Sequence, residues 1–164
     1  MEKEQFTQKV IEAEKSLYHI AKSILKKDED CADAMQNAIL TAFSKLHTLR
    51  NEKTFKTWLT RILINECYMI VRKRKDVVSY EEYMQEESIS FEEEYSEVFC
   101  EVEKLEEKYR VPFVLHYAEG YSVKEISEML NISQGNIKTR LYRARNVLRE
   151  SLKGVSGYEK YRLG

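Results

Sequence analysis

The sequence has few of the residues that break helices or cross-link a chain. Its 164 residues include one proline, five glycines and three cysteines, and no proline or glycine occurs before Pro112. The cysteines, Cys31, Cys67 and Cys100, form no CxxC or Cys/His cluster, which argues against a disulfide framework or a local zinc site. No apolar run approaches the roughly 18 residues of a membrane span. We therefore expect a soluble protein of the reducing cytoplasm.

Motifs of catalysis are missing as well. The histidines His19, His47 and His116 are isolated, and the sequence has no HExxH, no glycine-rich phosphate loop and no nucleophile elbow. The start, Met-Glu-Lys-Glu-Gln, lacks the apolar core and cleavage site of a secretory signal. We predict that the chain is not an enzyme and has no cofactor, no metal site and no small-molecule substrate.

Charge is abundant but segregated along the chain. The net charge is −1, yet residues 1–75 carry +5, residues 76–107 carry −12 and residues 108–164 carry +6. A plain solvated surface would mix the signs. The segregation favours two basic blocks that each face a polyanion, separated by an acidic segment with its own role.

Apolar residues recur at helical spacing, which predicts an all-α chain. In residues 1–75 three helices are expected, forming a three-to-four-helix bundle with an alanine face on the second helix. The apolar positions that mark these helices are Phe6, Val10, Ala13, Leu17, Ile20, Ala21, Ile24 and Leu25, then Ala34, Met35, Ala38, Ile39, Ala42 and Leu46, then Phe55, Trp58, Leu59, Ile62, Leu63 and Met69.

A glutamate-rich segment divides the chain into two small helical domains. Residues 76–94 cannot bury enough apolar surface to offset their ordering entropy, so they are predicted to be a flexible acidic linker. Phe99, Val102 and Leu105 begin a new helical stripe, which places the second domain at 95–153. Residues 154–164 are predicted to be a flexible tail.

The strongest local signal, in residues 121–152, predicts a helix-turn-helix. Ser122 and Glu125 fit a capping box, Asn131 fits a left-handed helix end, and Ser133 fits the next N-cap. The next helix has a buried stripe and an opposite face that is basic and polar, as entry into the major groove requires. The stripe consists of Ile137, Leu141, Ala144, Leu148 and Leu152. The alternative is a helical hairpin with solvated arginines; agreement of cap, turn and basic face favours DNA binding.

Residues 105–148 contain a characteristic set of residues: Arg110, Gly120, Glu125-Ile126, Gly135, Ile137-Lys138, Arg140-Leu141 and Arg143-Ala144-Arg145. With this set, the segment resembles the promoter −35 domain, domain 4, of bacterial RNA polymerase sigma factors of the extracytoplasmic function (ECF) class. Asp33-x-x-Gln36 and Phe55-x-x-Trp58-Leu59-x-x-Ile62-x-x-Asn65 are similar to domain 2 of the same class. Within the class, the chain is most similar to the branch that includes sigma-V-type factors.

The resemblance implies three binding surfaces. The helix of domain 4 would read the −35 element with Ser133, Gln134, Asn136, Lys138, Thr139, Arg140, Tyr142, Arg143 and Arg145. Domain 2 would act at the −10 element, where the strands separate, with His47, Thr48, Arg50, Asn51, Lys53, Arg61, Asn65, Arg72, Lys73 and Arg74. Core polymerase would be contacted by Asp33, Gln36, Asn37 and Leu40. For Trp58, on the apolar stripe, ordinary core packing is the favoured interpretation.

The resemblance also implies partners. They are core RNA polymerase, promoter DNA and an anti-sigma factor anchored in the membrane, which would hold the chain at the inner membrane face. The linker is open to three interpretations: a passive tether, an occupant of the polymerase cleft, or an internal competitor for the basic domains. Three other functions stay open: a stand-alone helix-turn-helix repressor, a regulatory adaptor that binds proteins, and a nuclease or other nucleic-acid enzyme.

Overall fold

The computed structural model describes residues 1–75 and 97–153, with the backbone alone at Lys75. The chain forms two compact units, here called the N-terminal unit (1–75) and the C-terminal unit (97–153). All regular structure in these two ranges is helical, which confirms the all-α prediction. The predicted linker, 76–94, and the predicted tail, 154–164, lie outside the described residues.

The N-terminal unit is a bundle of three long helices. They are α1 (Lys3–Ile24), α2 (Asp28–Ser44) and α3 (Phe55–Lys75), and each packs on the other two. Residues along the predicted stripes form the core. The most deeply buried large side chains are Leu17, Ile20, Ile24, Leu25, Leu59, Leu63 and Ile64.

Small side chains let α2 approach its neighbours closely. Ala34, Ala38 and Ala42 are all fully buried, four residues apart on one face of the helix. Because residues four apart share a face, the side of α2 opposite these alanines is left for solvent or for partners. The alanines are confirmed as the packing surface, but the prediction is wrong at Leu46, which is half-buried in a turn beyond the end of α2.

A polar cluster closes the turn between α1 and α2. Lys22, only 7% exposed, donates to Asp28 at 2.8 Å and to the Lys26 carbonyl at 2.8 Å, and Tyr18 also donates to Asp28. Burial alone would raise the pKa of Asp28. The hydrogen bonds from Lys22 and Tyr18 and the charge of Lys22 outweigh burial, so the pKa lies below its ordinary value of 3.8.

Met69 departs from the predicted stripe of α3, since 42% of it is exposed. The buried residues of α3 recur mainly every four positions, which is slightly more than one turn of 3.6 residues. The stripe therefore rotates around the helix toward Ile64, Cys67 and Val71, which are buried. Met69 is left on the opposite side.

The C-terminal unit has three short helices and one long helix. They are α4 (Glu97–Glu103), α5 (Glu107–Phe113), α6 (Val123–Leu130) and α7 (Gln134–Leu152), and a π turn at Val114–Ala118 follows α5. Pro112 lies inside α5 and has no N–H to donate, which weakens the α-helical ladder just before the π turn. One core cluster joins α4, α5 and α7 and consists of Val102, Leu105, Phe113, Val114, Ala144, Leu148 and Leu152.

The predicted stripe at the start of this unit is wrong at Phe99, which is 37% exposed. Val98 packs against the core instead, in line with the buried Val102 and Leu105. Val98 and Val102 are four residues apart and share one face of α4, and Leu105 follows just beyond the end of that helix. Phe99 lies one residue, or about 100°, away from Val98.

All three thiols are free: Cys31 and Cys67 are buried, and Cys100 is half-buried. Burial raises the pKa of Cys31 to about 12 and that of Cys67 well above its usual range. Within 1–75 and 97–153, no group of three or more His, Cys, Asp or Glu residues could hold a metal ion. In the same ranges no helix combines the length and apolarity needed to span a membrane.

Candidate functional site

The turn between α6 and α7 is fixed by three local devices. The Glu125 N–H donates to Ser122 Oγ at 3.1 Å while the Ser122 N–H donates to Glu125 Oε1 at 3.1 Å, which is the predicted capping box. Asn131 ends α6 in the left-handed region, at φ 55°. Ser133 then caps α7 by accepting from the Asn136 N–H at 3.2 Å. All three predicted devices are confirmed, so the angle at which α7 leaves the unit is set locally.

Helix α7 has one buried face and one exposed face. The predicted stripe is buried along its whole length, from Ile137 to Leu152. Of the residues predicted to face DNA, Arg140 and Arg145 are half-buried, and the others are exposed: Ser133, Gln134, Asn136, Lys138, Thr139, Tyr142 and Arg143. Gly135 is exposed too, and a Cβ built on it meets nothing within 4 Å.

Several exposed side chains are already held in place. Thr139 Oγ1 donates to the Gly135 carbonyl at 3.0 Å, and Arg140 Nε donates to Asn136 Oδ1 at 3.0 Å. By contrast, Lys138 and Arg143 make no hydrogen bond or ion pair with any residue of 1–75 or 97–153. Their cationic groups are therefore available to an anionic or polar ligand.

Sequence reasoning missed Tyr117, which meets α7 from the π turn. Arg145 Nη1 donates to Tyr117 Oη at 2.8 Å, and the Arg145 guanidinium lies 6.0 Å from the centre of the Tyr142 ring. The bond joins residues 28 positions apart, so no local motif could reveal it. The only hint in the sequence is that Pro112 and Gly120 bracket the irregular segment.

The second candidate surface lies on α2, opposite the alanine face. Asp33, Gln36, Asn37 and Leu40 are all exposed, and Leu40 is 63% exposed. Their spacing places them on one side of the helix. Phe43, not predicted from the sequence, extends this surface and is 50% exposed although its ring packs against Phe6 at 5.3 Å. The four predicted residues are thus brought together beside an apolar patch.

The third candidate surface is the loop between α2 and α3. Two 3-10 turns, Leu46–Thr48 and Glu52–Thr54, shape it, and the Asn51 Oδ1 accepts from the Lys53 N–H at 3.0 Å. Every residue predicted to act here is exposed. They are His47, Thr48, Arg50, Asn51 and Lys53.

Helix α3 continues this surface with one restrained residue. Arg61, Asn65, Arg72 and Lys73 are exposed. Arg74 is also exposed but donates to Asp30 Oδ1 at 3.0 Å, and Asp30 is only 2% exposed. The Arg74 guanidinium is therefore already paired within the unit, with a residue 44 positions earlier in the sequence.

The side chain of Trp58 lies only partly in the core in which the sequence predicts it. It is half-buried, and its ring centre is 5.9 Å from that of Phe55. Phe55 is buried and packs edge-on against Phe6 at 5.7 Å. Trp58 is thus anchored on the core and still partly open to solvent.

Family models match both units. Residues 10–77 match Sigma-70 region 2, and residues 96–148 match Sigma-70 region 4. Among curated proteins, the chain is 29% identical to RNA polymerase sigma factor SigV of Bacillus subtilis, covering 87% of this chain and 88% of that protein. It is 27% identical to ECF RNA polymerase sigma factor SigW of the same species, covering 85% and 84%.

A solved structure is also similar. It is the sigma factor RpoE in complex with the anti-sigma factor NepR from Bartonella quintana, with a TM-score of 0.79 and 27% identity. The match covers 93% of this chain and 98% of that one. Two region models in series and relatives matched over most of their length therefore agree with the two helical units.

Proposed function

The chain belongs to the sigma-70 family of RNA polymerase sigma factors, in its extracytoplasmic function class, and from that premise we propose which surfaces bind DNA and core polymerase. Sigma factors are transcription initiation factors, and this chain acts as one under anti-sigma control. In our proposal it binds core RNA polymerase, which performs the chemistry, and directs it to promoters with −35 and −10 elements.

The C-terminal unit is proposed to read the −35 element with α7. The exposed Lys138, Thr139, Tyr142 and Arg143 are suited to base edges in the major groove, and Arg140 and Arg145 to phosphates. The single observation that carries this proposal is the two-faced helix α7. One face is buried along the whole helix, while the other presents cations without an acidic partner among the described residues.

The N-terminal unit is proposed to act at the −10 element. Its exposed loop, with Asn51 and Lys53, and the exposed start of α3 would hold a base extruded as the strands separate. Unstacking a base costs a few kcal/mol, which pocket contacts must offset. Arg61, Arg72 and Lys73 are exposed along α3 and would hold the backbone.

Core polymerase is proposed to bind the α2 surface made by Asp33, Gln36, Asn37 and Leu40. The surface combines one carboxylate, two amides and an apolar side chain that is 63% exposed. Such a mixture of an apolar centre and polar neighbours is typical of protein interfaces.

Control by a partner is proposed to keep the chain inactive until a signal arrives. The similar RpoE structure is a complex with an anti-sigma factor. We propose the same kind of partner here, anchored in the membrane, with the chain itself in the cytoplasm. Co-purification from cells tests this, because core subunits and one small membrane protein should be recovered with the chain.

Transcription with purified components tests the proposal as a whole. Core RNA polymerase is supplied with the chain and with DNA of the organism that encodes it, and transcript starts are mapped. Starts that share two upstream elements and require the chain are the expected result. A folded chain that adds no starts would contradict the proposal, and tight sequence-specific DNA binding without polymerase would favour a stand-alone repressor.

Two variants test the assignments on α7. Arg143→Ala should lose about 1–3 kcal/mol of discrimination between the matched and a scrambled −35 element. Arg145→Ala should weaken binding evenly across sequences, and Lys104→Ala, one residue beyond the end of α4, serves as a matched loss of a cation. Equal effects of Arg143→Ala and Arg145→Ala on both elements would contradict the assignments.

A further inference from the structure

Tyr117 is exposed but rigidly held. Although 45% of it is accessible, its ring centre lies 4.7 Å from that of the buried Phe113 and 4.9 Å from that of His116, which it meets nearly at right angles. The tilted contact with Phe113 and the edge contact with His116 restrict the rotation of the ring. The hydroxyl is therefore presented at a defined place on the surface.

The π turn that carries Tyr117 is itself fastened. His116 Nδ1 lies 2.8 Å from the Tyr121 carbonyl, which can only accept, so Nδ1 carries the proton and donates. The Glu119 N–H donates to the Val114 carbonyl at 3.0 Å. Gly120 then leaves the turn at φ +79°, a conformation that glycine adopts without strain. A single π turn of this kind inside helical structure is frequently found at functional sites.

Arg145 is oriented by a neutral group. Its Nη1 donates to Tyr117 Oη at 2.8 Å, its guanidinium lies 6.0 Å from the Tyr142 ring, and it forms no ion pair with a carboxylate of 1–75 or 97–153. The positive charge is thus held in place but not neutralised. Because the tyrosine oxygen accepts from Arg145, its own proton remains to be donated elsewhere.

We propose that Tyr117 and Arg145 form one phosphate clamp on the DNA-facing side of the C-terminal unit. The Tyr117 hydroxyl and the remaining guanidinium N–H groups supply convergent donors, which suit the oxygens of a single backbone phosphate. The inference deepens the proposed function and rests on it, since the phosphate belongs to the DNA bound by α7. The contact is independent of base sequence.

A double-mutant cycle in the full chain tests the clamp. Binding is measured by fluorescence anisotropy at low salt on a labelled duplex of about 20 base pairs and arbitrary sequence, because backbone contacts do not depend on sequence. Tyr117→Phe removes the hydroxyl and keeps the ring. Tyr109→Phe, a hydroxyl deletion in a half-buried ring of the same unit, is the matched control, and equal melting temperatures establish that both variants fold.

Tyr117→Phe should weaken binding roughly three- to tenfold, the range expected for one hydrogen bond, while Tyr109→Phe should not. Arg145→Ala should weaken binding further and lower the slope of log K against log salt by about 0.9. In the double variant, the loss should be no greater than with Arg145→Ala alone. Independent, multiplying effects, or an unchanged affinity of Tyr117→Phe, would overturn the clamp. A wild-type chain that binds no duplex even at low salt would also overturn the clamp, whereas the proposed function is tested separately by transcription with core polymerase.

Discussion

The two units build binding surfaces in different ways. In the N-terminal unit, helices of 22, 17 and 21 residues pack along their lengths, and the candidate residues are those that the core leaves outside. In the C-terminal unit, three helices of only seven or eight residues support one of 19 residues, and caps and turns determine where that helix points.

The two units also differ in the interactions that stabilise their helices. Isolated helices shorter than about 12 residues are marginal in water, so the short helices depend on caps, turns and the shared core. The long helices depend mainly on apolar burial. Core substitutions should therefore lower the free energy of unfolding most in the N-terminal unit. Substitutions at caps and turns should lower it most in the C-terminal unit.

Leu63→Ala should have the largest effect. Leu63 is fully buried in α3, and removing such a side chain costs about 2–5 kcal/mol. Trp58, the only tryptophan, lies in the same unit, so its fluorescence in urea reports the loss. The matched variant Leu148→Ala, in the core of the other unit, should leave the Trp58 transition in place. An equal shift of the urea midpoint of the Trp58 transition in both variants would mean that the units unfold together.

Asn131→Val should have the next largest effect, on the C-terminal unit. Asn131 lies at φ 55°, where an ordinary side chain costs about 1–2 kcal/mol and a β-branched one is especially disfavoured. Asn131→Gly should retain full stability because glycine has no such cost. Hydrogen exchange at the amides of α6 and α7 measures both variants. Equal protection in the two variants would contradict the role of the turn.

Ser133→Ala should cost about 1 kcal/mol, the usual contribution of an N-cap. The hydroxyl accepts from the Asn136 N–H, which would lose its partner at the start of α7. Ser151, exposed near the end of the same helix, is the matched control, and Ser151→Ala should change little. Urea unfolding followed by hydrogen exchange in α7 compares them, and an equal cost at both serines would argue against the cap.

Asp28 should contribute least to the free energy of unfolding, and only at a pH where its carboxylate is ionised. Its folded pKa lies below 3.8, so its stabilising effect is fully present above that value and is lost as pH falls through the folded pKa. Asp28→Asn should remove this part of the pH dependence when Trp58 unfolding is measured from about pH 6 to about pH 3. Glu29→Gln, at an exposed neighbour, should preserve it. An identical pH profile in wild type and Asp28→Asn would contradict the assignment.

Local chemistry made the C-terminal site predictable. Ser122, Asn131 and Ser133 act within a few residues of their partners, so their roles follow from spacing alone. The alanine face of α2 was predictable for the same reason, since helical periodicity assigns it. The prediction of two helical domains is confirmed on this basis.

Contacts between distant residues were not predictable. The Arg145–Tyr117 bond spans 28 positions and the Arg74–Asp30 pair spans 44, and both depend on how helices meet rather than on a motif. Met69 was assigned to the wrong face because a stripe with a spacing of four drifts around a helix of 3.6 residues per turn. The sequence thus indicated which residues are candidates for binding, but not which of them already bond to another residue of the same unit.

The most direct test of the central claim, that both units read one promoter on one polymerase, is transcription as a function of the spacing between the two elements. On a promoter mapped with core polymerase and this chain, inserting roughly five base pairs turns one element about half a helical turn away from the other. The account predicts that transcription is lost and that a full-turn insertion does not restore it, because the units are tied to one enzyme. Undiminished transcription at every spacing would contradict the account.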